Sequence, residues 1–462
     1  MPSVLQDAGI GLPKKRQQNT LYTMMLQTFP VVALSVRVSL NATNPNRGDC
    51  PRGNGTMDTG DVAWVLAATC LVMLMTPALG FFYGGLVRRK NLVSTIVQCM
   101  IIFAVVSLVW ALWGYSLAFG PNVGGVIGNL SNVGLNGVGA QPNTFYAATI
   151  PALLYFAFQL KFAAITPALI IGAFAERIRF KALLIFIVLW ATFIYAPIAH
   201  WVWGDGGWLK NMGVLDFAGG LVVHVSAGLS AVAAALMIGR RKDVKEAASQ
   251  RPNNIPYVIL GAALLWFGWF GFNGGSALKA DGIAVSALVV TNLAASASAV
   301  SWMLVDWTLK GKPSAVGIAV GAVAGLVAIT PAAGYVSPGA SIVIGLVAGI
   351  LSNRVSNWRA RTRLDDSLDV FACHGAGAIW GLIATGLFAS AALNSAGANG
   401  LLKGNAHLLG VEVFAVVVVS AFAFFGSYAL LRLINLFTPV RVSPKEEEAG
   451  LDISEFGEEA YG

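Results

Sequence analysis

The sequence has very little charge. Of its 462 residues only 11% are Asp, Glu, Lys or Arg, whereas 56% are hydrophobic. Soluble domains carry about 25% charged residues, so this chain has too few polar side chains to cover a surface that faces water on all sides. The shortage excludes an ordinary soluble protein and predicts that a lipid bilayer solvates much of the surface.

Cysteine and histidine are also scarce, with four residues of each. The cysteines form no Cys-x-x-Cys pair, and no Gly-x-Ser-x-Gly sequence is present. These absences argue against a disulfide framework, a zinc module and a serine hydrolase. We therefore predict that the protein is not an enzyme and that it binds neither a cofactor nor a metal.

Long apolar runs are what the sequence has in abundance. Most of them are long enough to cross about 30 Å of hydrocarbon as a helix. The eleven predicted spans are residues 61–87, 93–119, 147–175, 181–203, 216–239, 255–275, 283–308, 314–331, 338–353, 370–393 and 406–437. The eighth and ninth are separated only by Pro- and Gly-containing breaks near residues 330 and 338. The predicted fold class is an all-α polytopic membrane protein.

Basic residues cluster in alternate connections between these spans. Residues 88–90 read Arg-Arg-Lys after the first span, and further Arg and Lys residues follow the third, fifth, seventh and ninth. The other connections hold only Lys210, Lys279 and Lys403. Because Lys and Arg favour cytoplasmic loops, we expect a multi-pass plasma-membrane protein with an outer amino end and a cytoplasmic carboxyl end. This pattern explains the net charge of +8 without a nucleic-acid partner.

The two ends differ from the membrane domain, which we place at residues 61–437. Residues 1–60 form an amino-terminal extension on the outside, in which basic residues precede an apolar run at 21–36. This pattern predicts either a signal peptide or an uncleaved anchor. Residues 438–462 form an acidic cytoplasmic tail. The tail is predicted either to be solvated or to dock onto the basic cytoplasmic loops.

The eleven spans contain an internal repeat. Residues 79–86 of the first span read LGFFYGGL, and residues 270–278 of the sixth read FGFNGGSAL. The fifth and tenth spans each carry a Gly-flanked histidine, His224 and His374. Five spans per half is an odd number, so we predict two inverted five-helix repeats followed by a long eleventh helix. Inverted repeats place their functional site near the midplane, where the halves meet.

His224 and His374 are the candidate pore residues. An imidazole is costly in hydrocarbon unless it has a partner or faces a cavity. One interpretation is that each histidine only packs and bonds to a neighbouring carbonyl. Two histidines at equivalent repeat positions favour the other interpretation, a shared pore. A metal site is disfavoured because no third ligand is close in sequence.

Several sequence blocks resemble the Amt/Mep/Rh ammonium transporter family, and in detail its Amt/Mep branch. Asp-Phe-Ala-Gly-Gly at 216–220 leads to His224, and Asp-Val-Phe at 369–371 leads to His374. AERIRF at 175–180, HWVWG at 200–204 and GFNGGS at 271–276 occur in the family's order. The resemblance implies an ammonium or ammonia substrate and a homotrimer with one pore in each protomer. A cytoplasmic regulatory protein is a further candidate partner.

The resemblance also implies an outer ammonium recruitment site. By similarity, Phe158, Trp203 and Ser276 line it. Aromatic faces attract a cation, and a hydroxyl accepts a hydrogen bond from an N–H group. Asp216 matches the family's buried acid beneath this site, with a structural and electrostatic role.

Below the recruitment site, Phe162 and Phe272 match the family's stacked phenylalanine gate. Lys161 is adjacent to Phe162 and departs from this pattern, because a cation that lined the pore would repel ammonium. We expect Lys161 to point to a protomer interface or to snorkel outward. A pore-facing Lys161 would contradict the gate assignment.

The expected mechanism is recruitment of ammonium, deprotonation and conduction of ammonia past the two histidines. Carrying a bare cation through an apolar pore is costly, and ammonia avoids most of that cost. Transport with a co-transferred proton would be electrogenic. Two alternatives stay open at this point: an electroneutral ammonia or carbon dioxide channel of the Rh kind, and an ammonium sensor.

Overall fold

The computed structural model describes residues 56–242 and 251–461, so most of the amino-terminal extension lies outside the described residues. Ten described helices are long and apolar enough to cross a membrane, and one further apolar helix is shorter. In chain order they are α1 (Thr59–Leu86), α2 (Arg89–Phe119), α3 (Ala152–Phe174), α4 (Phe180–Asn211), α5 (Gly220–Ile238), α6 (Ile255–Gly275), α7 (Gly282–Lys310), α8 (Ala315–Ile329), α9 (Pro338–Arg359), α10 (Phe371–Phe388) and α11 (Ala406–Phe437). The all-α polytopic fold is confirmed.

Several of these helices begin at a side chain that caps their free amides. Asp58 accepts a hydrogen bond at the start of α1, Asp281 at the start of α7, and Ser337 at the start of α9. Such caps satisfy donors that have no partner within the helix. The predicted bounds of the sixth and eleventh spans, 255–275 and 406–437, coincide with α6 and α11.

Two small antiparallel hairpins lie between α2 and α3. One pairs β1 (Asn122–Val123) with β2 (Ile127–Gly128), and the other pairs β3 (Pro142–Asn143) with β4 (Ala147–Pro151). The prediction that the third span starts at residue 147 is therefore wrong by five residues. An apolar segment also suits a strand, and composition alone did not separate the two.

Besides the ninth span, which was expected to end at residue 353 and runs to Arg359, the fifth and tenth spans also need correction. The fifth span was expected from residue 216, but residues 216–219 are irregular and α5 begins at Gly220. The tenth was expected to reach residue 393, but α10 ends at Phe388 because Ala389 is extended. In both places the apolar sequence extends beyond the residues that form the regular helix.

The two halves of the bundle meet through glycines. A Cβ atom on Gly261 of α6 would lie 2.4 Å from the backbone nitrogen of Phe82 in α1. A Cβ atom on Gly228 of α5 would lie 2.4 Å from the Cα atom of Gly375 in α10. Small residues allow such close helix contacts in membranes. Corresponding helices of the two five-helix repeats therefore pack against each other, and α11 packs outside them against α5.

The connections after α1, α3, α5 and α9 meet in a buried ion-pair network, and we call this side of the bundle the basic face. The Glu176 carboxylate bonds to Arg88 at 3.0 Å and to Arg241 at 2.9 Å. Arg241 also bonds to Asp365 at 2.9 Å. Burial favours a higher pKa for Asp365, but Arg177 and Arg241 outweigh it and lower that pKa to about 2.

The acidic tail docks on the basic face. Helix α12 (Pro444–Ala449) begins with a capping box between Ser443 and Glu446, and Glu446 pairs with Arg179 at 3.0 Å. The Asp452 carboxylate accepts hydrogen bonds from the amides of Val93 and Ser94 near the start of α2, at 3.0 and 2.7 Å. The docking prediction is confirmed, and the solvated-tail alternative is wrong.

Candidate functional site

The two candidate histidines lie side by side in the interior. His224 is 1% exposed and His374 is 3% exposed. Their Nδ1 atoms are 3.2 Å apart, and their ring centroids are 5.2 Å apart at an interplanar angle of 27°. A hydrogen bond between two ring nitrogens needs one donor and one acceptor, so one proton is shared between the rings.

Each histidine lies in a π-helical turn. Gly220–Val225 forms this turn in α5, and Phe371–Ala376 forms it in α10. A π turn inserts one extra residue into the helix and is frequent at functional sites. The matching turns thus carry the two imidazoles that contact each other between α5 and α10.

The two imidazoles line a narrow cavity whose other walls are apolar. The lining residues are Met75, Leu79, Phe82, Ile165, Leu169, Val223, His224, Leu265, Trp269, Phe272, Val323 and His374. His224 Nε2 is buried and has no hydrogen-bond partner among the described residues. Trp269 and Phe272 flank its ring, with centroids at 5.4 and 5.9 Å. The cavity thus offers a polar atom to a small guest within an otherwise apolar wall.

A column of aromatic rings continues from the histidines. Phe272 lies 4.3 Å from Phe162 between centroids, and Phe162 lies 4.9 Å from Phe158. Phe158 and Phe162 are four residues apart, so one face of α3 presents both. The Trp203 ring lies 6.0 Å from Phe162. The structure therefore brings the predicted gate into contact with two predicted recruitment residues and with the histidine pair.

Ser276, the third predicted recruitment residue, follows directly after α6. Its hydroxyl donates to the Phe272 carbonyl at 2.8 Å, which leaves the hydroxyl oxygen available as an acceptor. The neighbouring Gly275 lies against the Phe158 ring, where an added Cβ atom would be 2.9 Å from Cε2. This close approach places the end of α6 beside the aromatic column.

Asp216 is buried and holds the start of α5. Its Oδ1 accepts from the amides of Gly219 and Gly220, and its Oδ2 from those of Leu221 and Val222, at 2.6 to 3.2 Å. Its carbonyl oxygen accepts from Trp203 Nε1 at 2.9 Å. Asp216 thus anchors both the π turn that carries His224 and the Trp203 ring.

A matching acid, Asp366, holds the start of α10, and the sequence analysis missed it. It precedes His374 by eight residues, as Asp216 precedes His224, and accepts from the amides of Val370 and Phe371 at 3.1 and 2.7 Å. Burial raises the pKa of Asp366 to about 6, although Arg359 and the two amides oppose the rise. The equal spacing in the sequence was the signal that could have identified this acid.

The backbone conformation before the two histidines also repeats at equivalent positions. Gly219 and Asp369 each precede their histidine by five residues, and both have positive φ angles, 117° and 56°. Positive φ is uncommon for any residue other than glycine. Asp369 is held there by Arg359 and Ser356, at 2.7 and 2.8 Å. It therefore supports the fold on the basic face.

Lys161 faces away from the aromatic column. Its Nζ lies 5.0 Å from the centroid of the Phe103 ring in α2, and the residue is half-buried. Lys161 is absent from the lining of the histidine cavity. The conflict with the gate assignment is thereby removed.

Among the described residues no group of three or more His, Cys, Asp or Glu side chains is arranged to hold a metal.

Comparison with known proteins gives matches along most of the chain. The model of the Ammonium Transporter Family matches residues 63–461. An ammonium transporter from Bacillus subtilis is 48% identical over 406 residues, which cover 88% of this chain and 99% of the relative.

Solved structures agree with this sequence match. The crystal structure of Candida albicans Mep2 superposes with a TM-score of 0.81 at 37% identity, over 88% of this chain and 91% of that one. A structure named Sensor Amt Protein superposes with a TM-score of 0.79 at 30% identity, over 86% of this chain and 98% of that one.

Proposed function

The chain belongs to the ammonium transporter family and is an ammonium transporter, and we propose that it conducts ammonia through the aromatic column and the histidine-lined cavity described above. The observation that carries this proposal is an unbroken series of ring contacts, which links Phe158, Phe162, Phe272, His224 and His374. Its gate is aromatic, and its inner part is apolar apart from two imidazoles.

Recruitment rests on Trp203, Phe158 and Ser276. The ring faces attract the ammonium charge, and the serine hydroxyl accepts one N–H bond. Asp216 contributes a nearby buried carboxylate, which biases the site toward a cation even though its oxygens are engaged with amides. A cation is thus concentrated at the entrance without a direct ion pair that would trap it.

Selection follows from desolvation. Ammonium can lose a proton and enter the narrow apolar path as ammonia, which avoids most of the cost of burying a charge. Potassium has a similar size and charge but has no proton to lose. The path therefore favours ammonium over potassium because ammonium can be deprotonated, and not because the two ions differ in size.

The histidine pair guides ammonia and relays the released proton. With one proton shared between the Nδ1 atoms, a neutral pair offers ring nitrogens as donor or acceptor. The open Nε2 of His224 is the atom that meets ammonia beyond the gate. Proton relay through the pair makes transport electrogenic.

The proposal is tested with the purified full chain in liposomes under an ammonium gradient. We expect a current in the parent, and we expect His224→Ala or His374→Ala to reduce it at least about tenfold, because each change removes a buried hydrogen-bond partner. The exposed His407 provides the matched control, His407→Ala, which is expected to leave the current unchanged.

Other outcomes would support the alternatives. Ammonium uptake without current would favour an electroneutral channel of the Rh kind. Ammonium binding without uptake would favour an ammonium sensor, a candidate supported by the similarity to the Sensor Amt Protein structure. If neither histidine variant changed rate or selectivity, the pore proposal would be wrong.

We also propose a homotrimer with one pore in each protomer, in the plasma membrane, with the basic face on the cytoplasmic side. The alternating basic connections support this orientation. A cytoplasmic regulatory protein would meet the docked tail together with the parts of this face that the tail leaves uncovered. Light scattering of the detergent complex tests the trimer, and protease protection of the tail in sealed vesicles tests the orientation.

A further inference from the structure

Helix α11 carries a buried carboxyl group that the transport path does not use. Glu412 is 0% exposed, although it lies within an apolar helix. Its Oε1 accepts a hydrogen bond from the Leu215 amide at 2.7 Å. Its Oε2 is buried and has no hydrogen-bond partner among the described residues. Neither oxygen therefore bonds to a basic side chain.

The Glu412 carboxyl group is best explained as neutral. An ionised carboxylate in a fully buried site needs a cation or several hydrogen-bond donors to offset its lost hydration. Glu412 has a single amide donor, whereas the Asp216 carboxylate has four. A neutral carboxyl group loses much less on burial, and its carbonyl oxygen still accepts the Leu215 hydrogen bond.

The bond to Leu215 holds an irregular segment. Residues 213–219 lie between α4 and α5 and have no regular helix or strand structure. Glu412 fixes this segment at Leu215, and the Pro331 carbonyl fixes it at Phe217, with an N···O distance of 3.1 Å. Without Glu412 the Leu215 amide would be left buried without that partner, which is an expensive state for a backbone donor.

The segment in turn holds the outer cation site. Asp216 follows Leu215 directly, and its carbonyl oxygen accepts from Trp203 Nε1 at 2.9 Å. The Trp203 ring contacts Phe162, the first ring of the gate. A continuous set of bonds and contacts therefore runs from α11 through the 215–216 backbone to the recruitment ring.

We propose that Glu412 is a positioning residue of the outer cation site, in which a neutral carboxyl group fixes the Leu215–Asp216 backbone and thereby the Trp203 ring. The inference rests on the proposed function, because it treats Trp203 as part of the ammonium recruitment site. It adds a residue from the eleventh helix, outside both repeats, to a site otherwise built from the repeats.

The test compares Glu412→Met and Glu412→Gln in the full chain in liposomes. Met has a similar length but replaces the oxygen acceptor, so we expect the half-saturating ammonium concentration to rise about tenfold while the maximal rate changes less. Gln keeps an uncharged oxygen acceptor and is expected to restore half-saturation to within about twofold of the parent. The matched control is Val413→Met at the neighbouring, exposed position.

A double-mutant cycle separates positioning from a general loss of stability. Trp203→Phe removes the indole N–H that reaches Asp216, so Glu412→Met should add much less to half-saturation in that background than it does alone. Full additivity would contradict the proposal. A Gln variant as impaired as the Met variant, or a Met variant with parental half-saturation, would also overturn it.

Two further outcomes are a Glu412→Met variant that does not fold and a parent that does not transport. If Glu412→Met fails to fold, the Gln variant still decides, because altered half-saturation in Glu412→Gln contradicts a neutral positioning role. If the parent itself transports no ammonium, the proposed function fails, and that result is distinct from any failure of this inference.

Discussion

At the residue scale, two aspartates have matching roles at the starts of α5 and α10. Asp216 and Asp366 each lie eight residues before a pore histidine and bond to amides at the start of its helix. A carboxylate at a helix amino terminus is stabilised by those donors and by the helix dipole. Neither carboxylate makes a described hydrogen bond to its imidazole. Each carboxylate therefore orients the imidazole indirectly, by holding the backbone at the start of the helix.

Replacing Asp216 with Asn tests this dependence. Asn keeps one oxygen acceptor, but its NH₂ group would face two amide donors and the negative charge would be lost. We expect about 3 kcal/mol of destabilisation and at least tenfold slower transport. Thermal unfolding in detergent and liposome uptake measure the two effects.

The matched control for Asp216→Asn is Asp205→Asn. Asp205 is exposed at the same end of the bundle as Trp203. We expect parental unfolding and uptake from that variant. Parental behaviour of Asp216→Asn would contradict the anchoring role of the carboxylate.

At the element scale, the proposed pore depends on how closely α5 and α10 approach each other. They cross at Gly228, which lies four residues after His224, and at Gly375, which directly follows His374; there is no room for a side chain on Gly228. The separation of 3.2 Å between the two Nδ1 atoms is set by this crossing. Any atom inserted there moves the two imidazoles apart.

Gly228→Ala tests the crossing. Although Ala favours a helix by about 1 kcal/mol over Gly, the new methyl group would overlap the Gly375 backbone, so we expect net destabilisation of about 1–3 kcal/mol and slower transport. Gly410→Ala on α11 is the control, since a Cβ atom there meets nothing within 4 Å. Equal melting temperatures for the two variants would show that the close contact is unimportant.

At the scale of the whole molecule, the basic face joins connections that are far apart in sequence. Arg241 bonds to both Glu176 and Asp365, which ties together the ends of α3, α5 and α9. Burial tends to raise the pKa of the Glu176 carboxyl, but Arg241 and Arg88 hold that pKa below its ordinary value. The docked tail lies beside this network, since Lys242 donates its amide to Glu447 at 3.0 Å.

Arg241→Ala tests the network through its pH dependence. Removing Arg241 leaves two buried carboxylates without a shared partner, which is expected to cost about 3–5 kcal/mol at neutral pH. In the folded protein the pKa of Asp365 is lowered from 3.8 to about 2. The stability that ionised Asp365 gives to the fold is therefore present above its ordinary pKa, and it is lost as pH falls from that value to the folded pKa.

The difference in melting temperature between parent and Arg241→Ala should therefore shrink as pH falls from about 4 to about 2. Exposed Lys312 supplies the control variant, Lys312→Ala, for which we expect no difference from the parent. A pH-independent difference for Arg241→Ala would show that lost packing, rather than charge pairing, explains the destabilisation.

The membrane class, the eleven helices and the clustering of basic residues in alternate connections could be read from the sequence. These properties depend on apolar length and on basic loops, which are local and additive along the chain. The bounds of α6 and α11 were predicted exactly for the same reason. The histidine pair could also be predicted, because equivalent positions in a repeat imply a shared location.

The tertiary structure alone decided several other features. Composition did not separate strand β4 from the start of α3, because an apolar segment suits either. The π turns, the direction of Lys161 and the partner of Glu412 also depend on contacts between segments far apart in the chain. Sequence patterns report which side of an element is apolar, whereas distances between side chains arise only when the elements pack.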